Sequence, residues 1–182
     1  MTSRTVALVG LPGSGKSTIG RQLARRLGLP FFDSDAVIEQ RIGCPIKVFF
    51  EEQGEARFRD IESEVIAELA AGDRKVLSTG GGSVLRDENR RVLHEHAVVV
   101  YLRSAPEEVF RRVRHDRNRP LLQVEDPLQK LRDLHALRDP LYAETAHFTI
   151  DTGRPSVATL VNMIVMQLDM SDIGRSPADP GA

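Results

Sequence analysis

The segment Gly10-Leu11-Pro12-Gly13-Ser14-Gly15-Lys16-Ser17 has the spacing G-x-x-x-x-G-K-[ST]. Residues of these types at this spacing can cradle a phosphate chain. The glycines let backbone N–H groups turn inward onto phosphate oxygens. A helix beginning near Lys16 would aim its positive end at the same anion. Lys16 supplies a point charge, and Ser17 offers a hydroxyl to Mg²⁺. The dinucleotide pattern G-x-G-x-x-G is not met, because Thr18 stands where its last glycine would be. No Asn-Lys pair occurs, so the N-K-x-D guanine-reading motif is absent, which favours ATP or a nucleotide read loosely.

Asp33-Ser34-Asp35 is the second candidate. In isolation it reads as a turn residue followed by a helix cap. Beside a phosphate loop the two carboxylates suit phosphotransfer, with Asp33 on the metal side through water and Asp35 at the acceptor hydroxyl. Arg57 and Arg59 sit near a helix start, where the helix dipole disfavours arginine, so either could serve a ligand or simply face solvent. Gly80-Gly81-Gly82 follows an apolar run and would let backbone approach a ligand closely, a weak signal by itself. Arg111, Arg112, Arg114, Arg117 and Arg119 crowd one stretch, as either a solvated basic face or a lid carrying cations. Arg138 precedes Pro140-Leu141-Tyr142 and could fork onto a carboxylate. The five histidines show no paired i, i+4 metal spacing, and Cys44 reads as a small packed hydrophobe. Phe31, Phe49, Phe50 and Phe58 read as core.

These residues need elements to position them. Apolar runs at Thr5–Gly10, Pro30–Phe32, Lys75–Thr79, Ala97–Leu102 and Phe148–Asp151 read as strands. Helical spacing occupies the intervals. It runs from Lys16 to a stop at Gly28, over Ala36–Ile42 and Pro45–Gln53, and over Glu55–Ala71. It returns at Asp87–Leu93, Pro106–Arg114, Pro127–Thr145 with a break near Pro140, and Ser156–Asp169. Strands alternating with helices imply an α/β fold with a parallel sheet, whose ligands bind beyond the carboxyl ends of the strands. Residues 115–126 read as a mobile loop and 171–182 as a disordered tail, leaving one domain over 1–170.

At 182 residues the chain has room for one domain with a substantial core. The formal net charge of −1 removes the bulk argument for a nucleic-acid partner. A single cysteine excludes an internal disulfide and a cysteine-based zinc cluster. No apolar run approaches the roughly 18 residues of a membrane span. No leader pattern is evident at the N-terminus, so a cytoplasmic protein with no membrane partner is expected, with monomer as the default.

Taken together, GLPGSGKST (10–18), FFDSD (31–35), FRDIE (58–62), TGGG (79–82), RNRPLL (117–122), LRDPLY (137–142) and TGRP (152–155) make the chain resemble the shikimate kinases. These are P-loop kinases related to nucleoside monophosphate kinases. The likeness covers about residues 4–168. It implies a three-layer fold with a five-stranded parallel sheet in the order 2-3-1-4-5, a lid at about 115–126 and a substrate-binding region at about 33–62. It implies transfer of the γ-phosphoryl of ATP, with Mg²⁺, to the 3-hydroxyl of shikimate on the route to aromatic amino acids. Carried over by position, Asp35, Arg59, Gly80, Gly81, Gly82 and Arg138 hold shikimate. Gly13, Ser14, Gly15, Lys16, Ser17 and Thr18 hold the phosphates, with Ser17 and Asp33 on the metal. Arg119 reaches the phosphates from the lid, Arg112 and Arg154 lie along the adenine, and Glu62 orients Arg59. Asp35, Lys16 and Arg119 are then the catalytic set. A gluconate or nucleoside monophosphate kinase of the same fold, or an ATP-binding regulator without turnover, are the competing readings.

Overall fold

The computed structural model describes residues 4–115 and 123–173. Five strands form one parallel sheet in the order β2-β3-β1-β4-β5: β1 (Thr5–Val9), β2 (Phe31–Asp33), β3 (Val76–Ser78), β4 (Ala97–Arg103) and β5 (Phe148–Asp151). Each crossover is helical: α1 (Lys16–Leu27), then α2 (Ser34–Ile42), α3 (Ile46–Gln53) and α4 (Glu55–Ala71), then α5 (Asp87–His96), then α6 (Pro106–Val113) and α7 (Pro127–Thr145). The last helix, α8 (Val157–Ile173), follows β5. The side-chain period of two sends alternate residues of each strand to opposite faces. Ala7, Val9, Val99 and Tyr101 pack on one face with Ile66, Leu93, Val109 and Leu131, whereas Val6, Leu8, Val98 and Val100 pack on the other with Ile19, Leu23, Ile164 and Leu168. Both faces are covered, which is why β1 and β4 read as unbroken apolar runs.

A small third cluster of Ile38, Phe58 and Val65 lies beneath α2, α3 and α4. Phe49 and Phe50, expected in the core, are only half-buried, because α3 contributes no buried residue and lies on the rim; Phe31, on the edge strand β2, is half-buried against the core. The expected break at Pro140 is absent and α7 runs through it. An interior proline costs a helix about 3 kcal/mol, through the lost bond to the carbonyl four residues back and through ring crowding. Burial of Leu131, Leu134, Tyr142 and Thr145 from this one helix offsets that cost. The last helix also passes its expected end at Asp169 and takes in the first residues of the supposed tail. Residues 174–182, and 116–122 of the expected lid with Arg117 and Arg119, lie outside the described residues.

Candidate active site

The three strands β2, β3 and β1 lie side by side, with Asp33 level with Ser78 and Ser78 level with Leu8. Their carboxyl ends therefore release Asp33, the glycine run and the phosphate loop into one cavity of about 450 Å³. Gly13, Gly15, Lys16, Ser17, Thr18, Asp33, Asp35, Gly80, Gly81 and Arg112 all line it. Gly15 caps α1 at φ 94°, a left-handed conformation that side chains resist, and so delivers the open first turn of α1 to the cavity. The Lys16 ammonium is buried and donates to the carbonyls of Gly10 (2.7 Å) and Leu11 (2.8 Å). Ser14 is fully buried, and its Oγ has no hydrogen-bond partner.

Asp33, rather than Asp35, caps α2. Its Oδ1 accepts from the N–H groups of Asp35 (2.9 Å) and Ala36 (3.4 Å). The other oxygen accepts from the Ser17 hydroxyl at 2.9 Å. One carboxylate is thus fixed by the helix start and tied to the phosphate loop. Asp35 sits in the first turn of α2, so the pair converges through a strand end and a helix start and not through strand alternation. Burial raises Asp35 from 3.8 to about 6, with Asp33 and Glu62 adding to the rise and Lys16 opposing it.

The glycine run meets these groups at contact distance. A Cβ on Gly80 would lie 2.6 Å from Asp35 Oδ1, one on Gly81 2.7 Å from the Pro12 ring, and one on Gly82 2.5 Å from the Arg59 guanidinium. Close approach, not positive φ, is what favours glycine here: at Gly80 and Gly82 a side-chain end would have to move aside, and at Gly81 the Pro12 ring and backbone would. Ser34, between the two aspartates, accepts the Gly80 N–H at 3.0 Å, and the Ser83 hydroxyl donates to the Gly80 carbonyl at 2.7 Å. Of the two arginines near the start of α4, Arg57 is exposed, whereas Arg59 is 12% exposed and pairs with the buried Glu62 at 2.8 Å. Burial raises the Glu62 carboxyl, against Arg59, Arg138 and Arg86. Arg138 and Arg59 both act on the Tyr142 phenol, so Arg59, Glu62, Arg138 and Tyr142 converge. The Nε groups of Arg59 and Arg138 are buried without a hydrogen-bond partner, and Arg59 Nε pairs with the Glu55 carboxylate at 3.5 Å.

On the other side of the phosphate loop, Arg112 donates to the carbonyls of Ser14 (3.1 Å) and Thr152 (3.4 Å), tying α6 to the turn after β5. A second cavity of about 360 Å³ opens there, lined by Gly15, Thr18, Arg112, Thr152 and Pro155 among others. Arg154 is exposed in that turn and is not among the residues lining either cavity. Sequence reasoning missed Ser34, Ser83, Tyr101 and Tyr142. Only the small polar residue between two aspartates, and the tyrosine ending R-x-PLY, carried any signal.

The shikimate kinase family model matches residues 12–169. Among curated relatives, a shikimate kinase of Burkholderia pseudomallei is 58% identical over 172 residues, covering 94% of each chain. A shikimate kinase of Ralstonia nicotianae is 55% identical over 178 residues, covering 98% of this chain and 94% of its own. Among solved structures, shikimate kinase from Acinetobacter baumannii in complex with shikimate superposes with a TM-score of 0.88 at 46% identity, covering 94% of this chain and 95% of that one. With the cavity, the glycine run and the arginine pair at the strand ends, these likenesses establish that the chain belongs to the shikimate kinase family.

Proposed function

We propose that Asp35, Arg59, Arg138 and the glycine run hold shikimate, and that Asp35 orients its 3-hydroxyl toward the γ-phosphoryl of ATP bound on Gly13–Thr18. The chain is an ATP-dependent kinase, and its reaction yields shikimate 3-phosphate and ADP. The observation that carries the assignment of residues is the glycine run, flush against Asp35, Pro12 and Arg59. It joins the acceptor groups to the phosphate loop with no side chain between them.

Phosphoryl transfer needs in-line placement and charge compensation more than covalent help. Arg59 and Arg138 clamp the shikimate carboxylate, since both converge on Glu62 and the Arg138 Nε–H is buried without a hydrogen-bond partner. The clamp fixes one hydroxyl against Asp35, which accepts its hydrogen bond and takes its proton. Lys16 leaves the carbonyls of its own loop for phosphate oxygens. Arg112 and Arg154 flank the base, with Arg112 at the second cavity. Arg119, outside the described residues, is the further phosphate-contacting cation of this reading.

Ser17 Oγ and Asp33 Oδ2, 2.9 Å apart, fit Mg²⁺. Among the described residues no group of three or more His, Cys, Asp or Glu is placed to hold a metal. A cation held by one hydroxyl, one carboxylate, phosphates and water is the usual manner of Mg²⁺. When bound, it compensates charge on the phosphates. The reading also carries a cytoplasmic monomer with no nucleic-acid or membrane partner. In support, net charge is −1, and no described helix is long and apolar enough to cross a membrane.

ADP release from Mg-ATP, measured in parallel with shikimate, gluconate, AMP or no acceptor, tests the substrate. Release dependent on shikimate alone is expected. Turnover with another acceptor, or ATP binding with no shikimate-dependent turnover, would overturn it.

A further inference from the structure

Two tyrosines surround the segment that carries Arg138, and the mechanism above uses neither. Tyr142 is fully buried, and its hydroxyl donates to the Gly81 carbonyl at 2.6 Å, across 61 residues of sequence. Tyr101, 1% exposed in β4, donates to Asp139 Oδ1 at 2.7 Å. Their rings pack with centroids 5.0 Å apart. Asp139 adjoins Arg138, and Tyr142 lies one turn beyond it on the same face of α7. The helix is therefore tied just after Arg138, to the central sheet through Asp139 and to the glycine run through Tyr142. Between the ties stands Pro140, which cannot donate to the Ala136 carbonyl, so the helix is weakest in its own bonding where these tertiary bonds hold it.

Packing does not require the hydroxyls. Phenylalanine would fill the same volume among Val99, Leu131 and Leu134 without burying a polar group. What the hydroxyls add is direction: they fix the rotation and height of α7 against the glycine run.

We propose that Tyr142 and Tyr101, with Asp139, are positioning residues that set the Arg138 guanidinium against Gly81 and Gly82 for the acceptor carboxylate. The inference rests on the acceptor role given to Arg138 above. Arg138 lies near enough to the Tyr142 phenol to oppose the rise that burial gives it, to about 12, so the tie and the clamp are in contact.

Tyr142→Phe and Tyr101→Phe keep the rings and remove one hydroxyl each. Loss of one buried neutral hydrogen bond should raise the shikimate KM about five- to tenfold in Tyr142→Phe, and less in Tyr101→Phe. The ATP KM should stay within about twofold of the parent. In the Arg138→Ala background, Tyr142→Phe should add almost nothing, because its effect passes through the guanidinium. A merely structural tyrosine would move both KM values together and would add its full effect to Arg138→Ala; either result overturns the proposal. A raised shikimate KM in Arg138→Ala beside an unchanged one in Tyr142→Phe overturns the positioning role alone. An unchanged shikimate KM in Arg138→Ala overturns the acceptor role of Arg138, and the positioning role with it.

Discussion

Burial and the neighbouring carboxylates of Asp33 and Glu62 hold Asp35 at about 6, against an ordinary 3.8. Native protein thus binds this proton more tightly than unfolded chain. Above pH 6 both states are ionised, and only the native one carries the cost of a charge in this setting. That cost, up to about 3 kcal/mol, fades as the pH falls from 6 toward 3.8. Metal-free Asp35→Asn should therefore melt higher than the parent at pH 8, lose that advantage near pH 4, and turn over shikimate hardly at all. A variant that melts no higher than the parent at pH 8 would contradict the sign. The parent's own turnover should decline as pH drops through about 6, where the orienting carboxylate takes a proton. The glycine run gives a second contrast. A methyl on Gly82 meets the far end of the Arg59 side chain, which can move, whereas a methyl on Gly81 meets the Pro12 ring, which cannot move without shifting the phosphate loop. Gly82→Ala should raise the shikimate KM and spare the ATP KM, and Gly81→Ala should raise both. Paired KM measurements separate the two, and equal behaviour would mean that the glycines do not divide the cleft in this way.

At the scale of elements, α7 carries both the largest departure from sequence expectation and a direct test. Pro140 suggested a break, yet four buried side chains hold the helix through it. Pro140 itself is exposed, so alanine there forfeits little packing and restores a donor to the Ala136 carbonyl. Pro140→Ala should raise the melting temperature by several degrees, corresponding to as much as about 3 kcal/mol of helix propensity. A lower melting temperature would mean that the proline's restriction of the unfolded chain outweighs its cost to the helix. The same helix shows what sequence could disclose. R-x-PLY marked Arg138, because a charged residue in a motif reads as chemistry. The tie from Tyr142 to Gly81 spans 61 residues, and that from Ser34 to Gly80 spans 46, so no local period encodes either. The phosphate loop was legible because its glycines, lysine and serine act within one turn. Strand order came through family likeness, since apolar alternation says that strands pair but not which ones. The half-buried Phe49 and Phe50 misled because a rim helix and a core helix share the same apolar spacing.

Across the whole molecule, the acceptor groups come from separate helices that converge at the cleft, although Ile66 also carries α4 into the main core beside Leu131 of α7. Asp35 is on α2 and Arg59 on α4, above the small cluster of Ile38, Phe58 and Val65, whereas Arg138 is on α7 over the main core. The nucleotide groups instead come from the phosphate loop and α6, against the central sheet. A ligand bridging two packing units stabilises the native state by mass action, about 2.7 kcal/mol at a hundred times its Kd. Shikimate should raise the melting temperature of the parent by several degrees, and so should ADP with Mg²⁺. In Arg138→Ala the shikimate shift should vanish at the same concentration while the ADP shift persists, because the mutation severs only the bridge to α7. Loss of both shifts would mean that Arg138 supports the fold as a whole. Retention of the shikimate shift would place the carboxylate clamp on Arg59 alone.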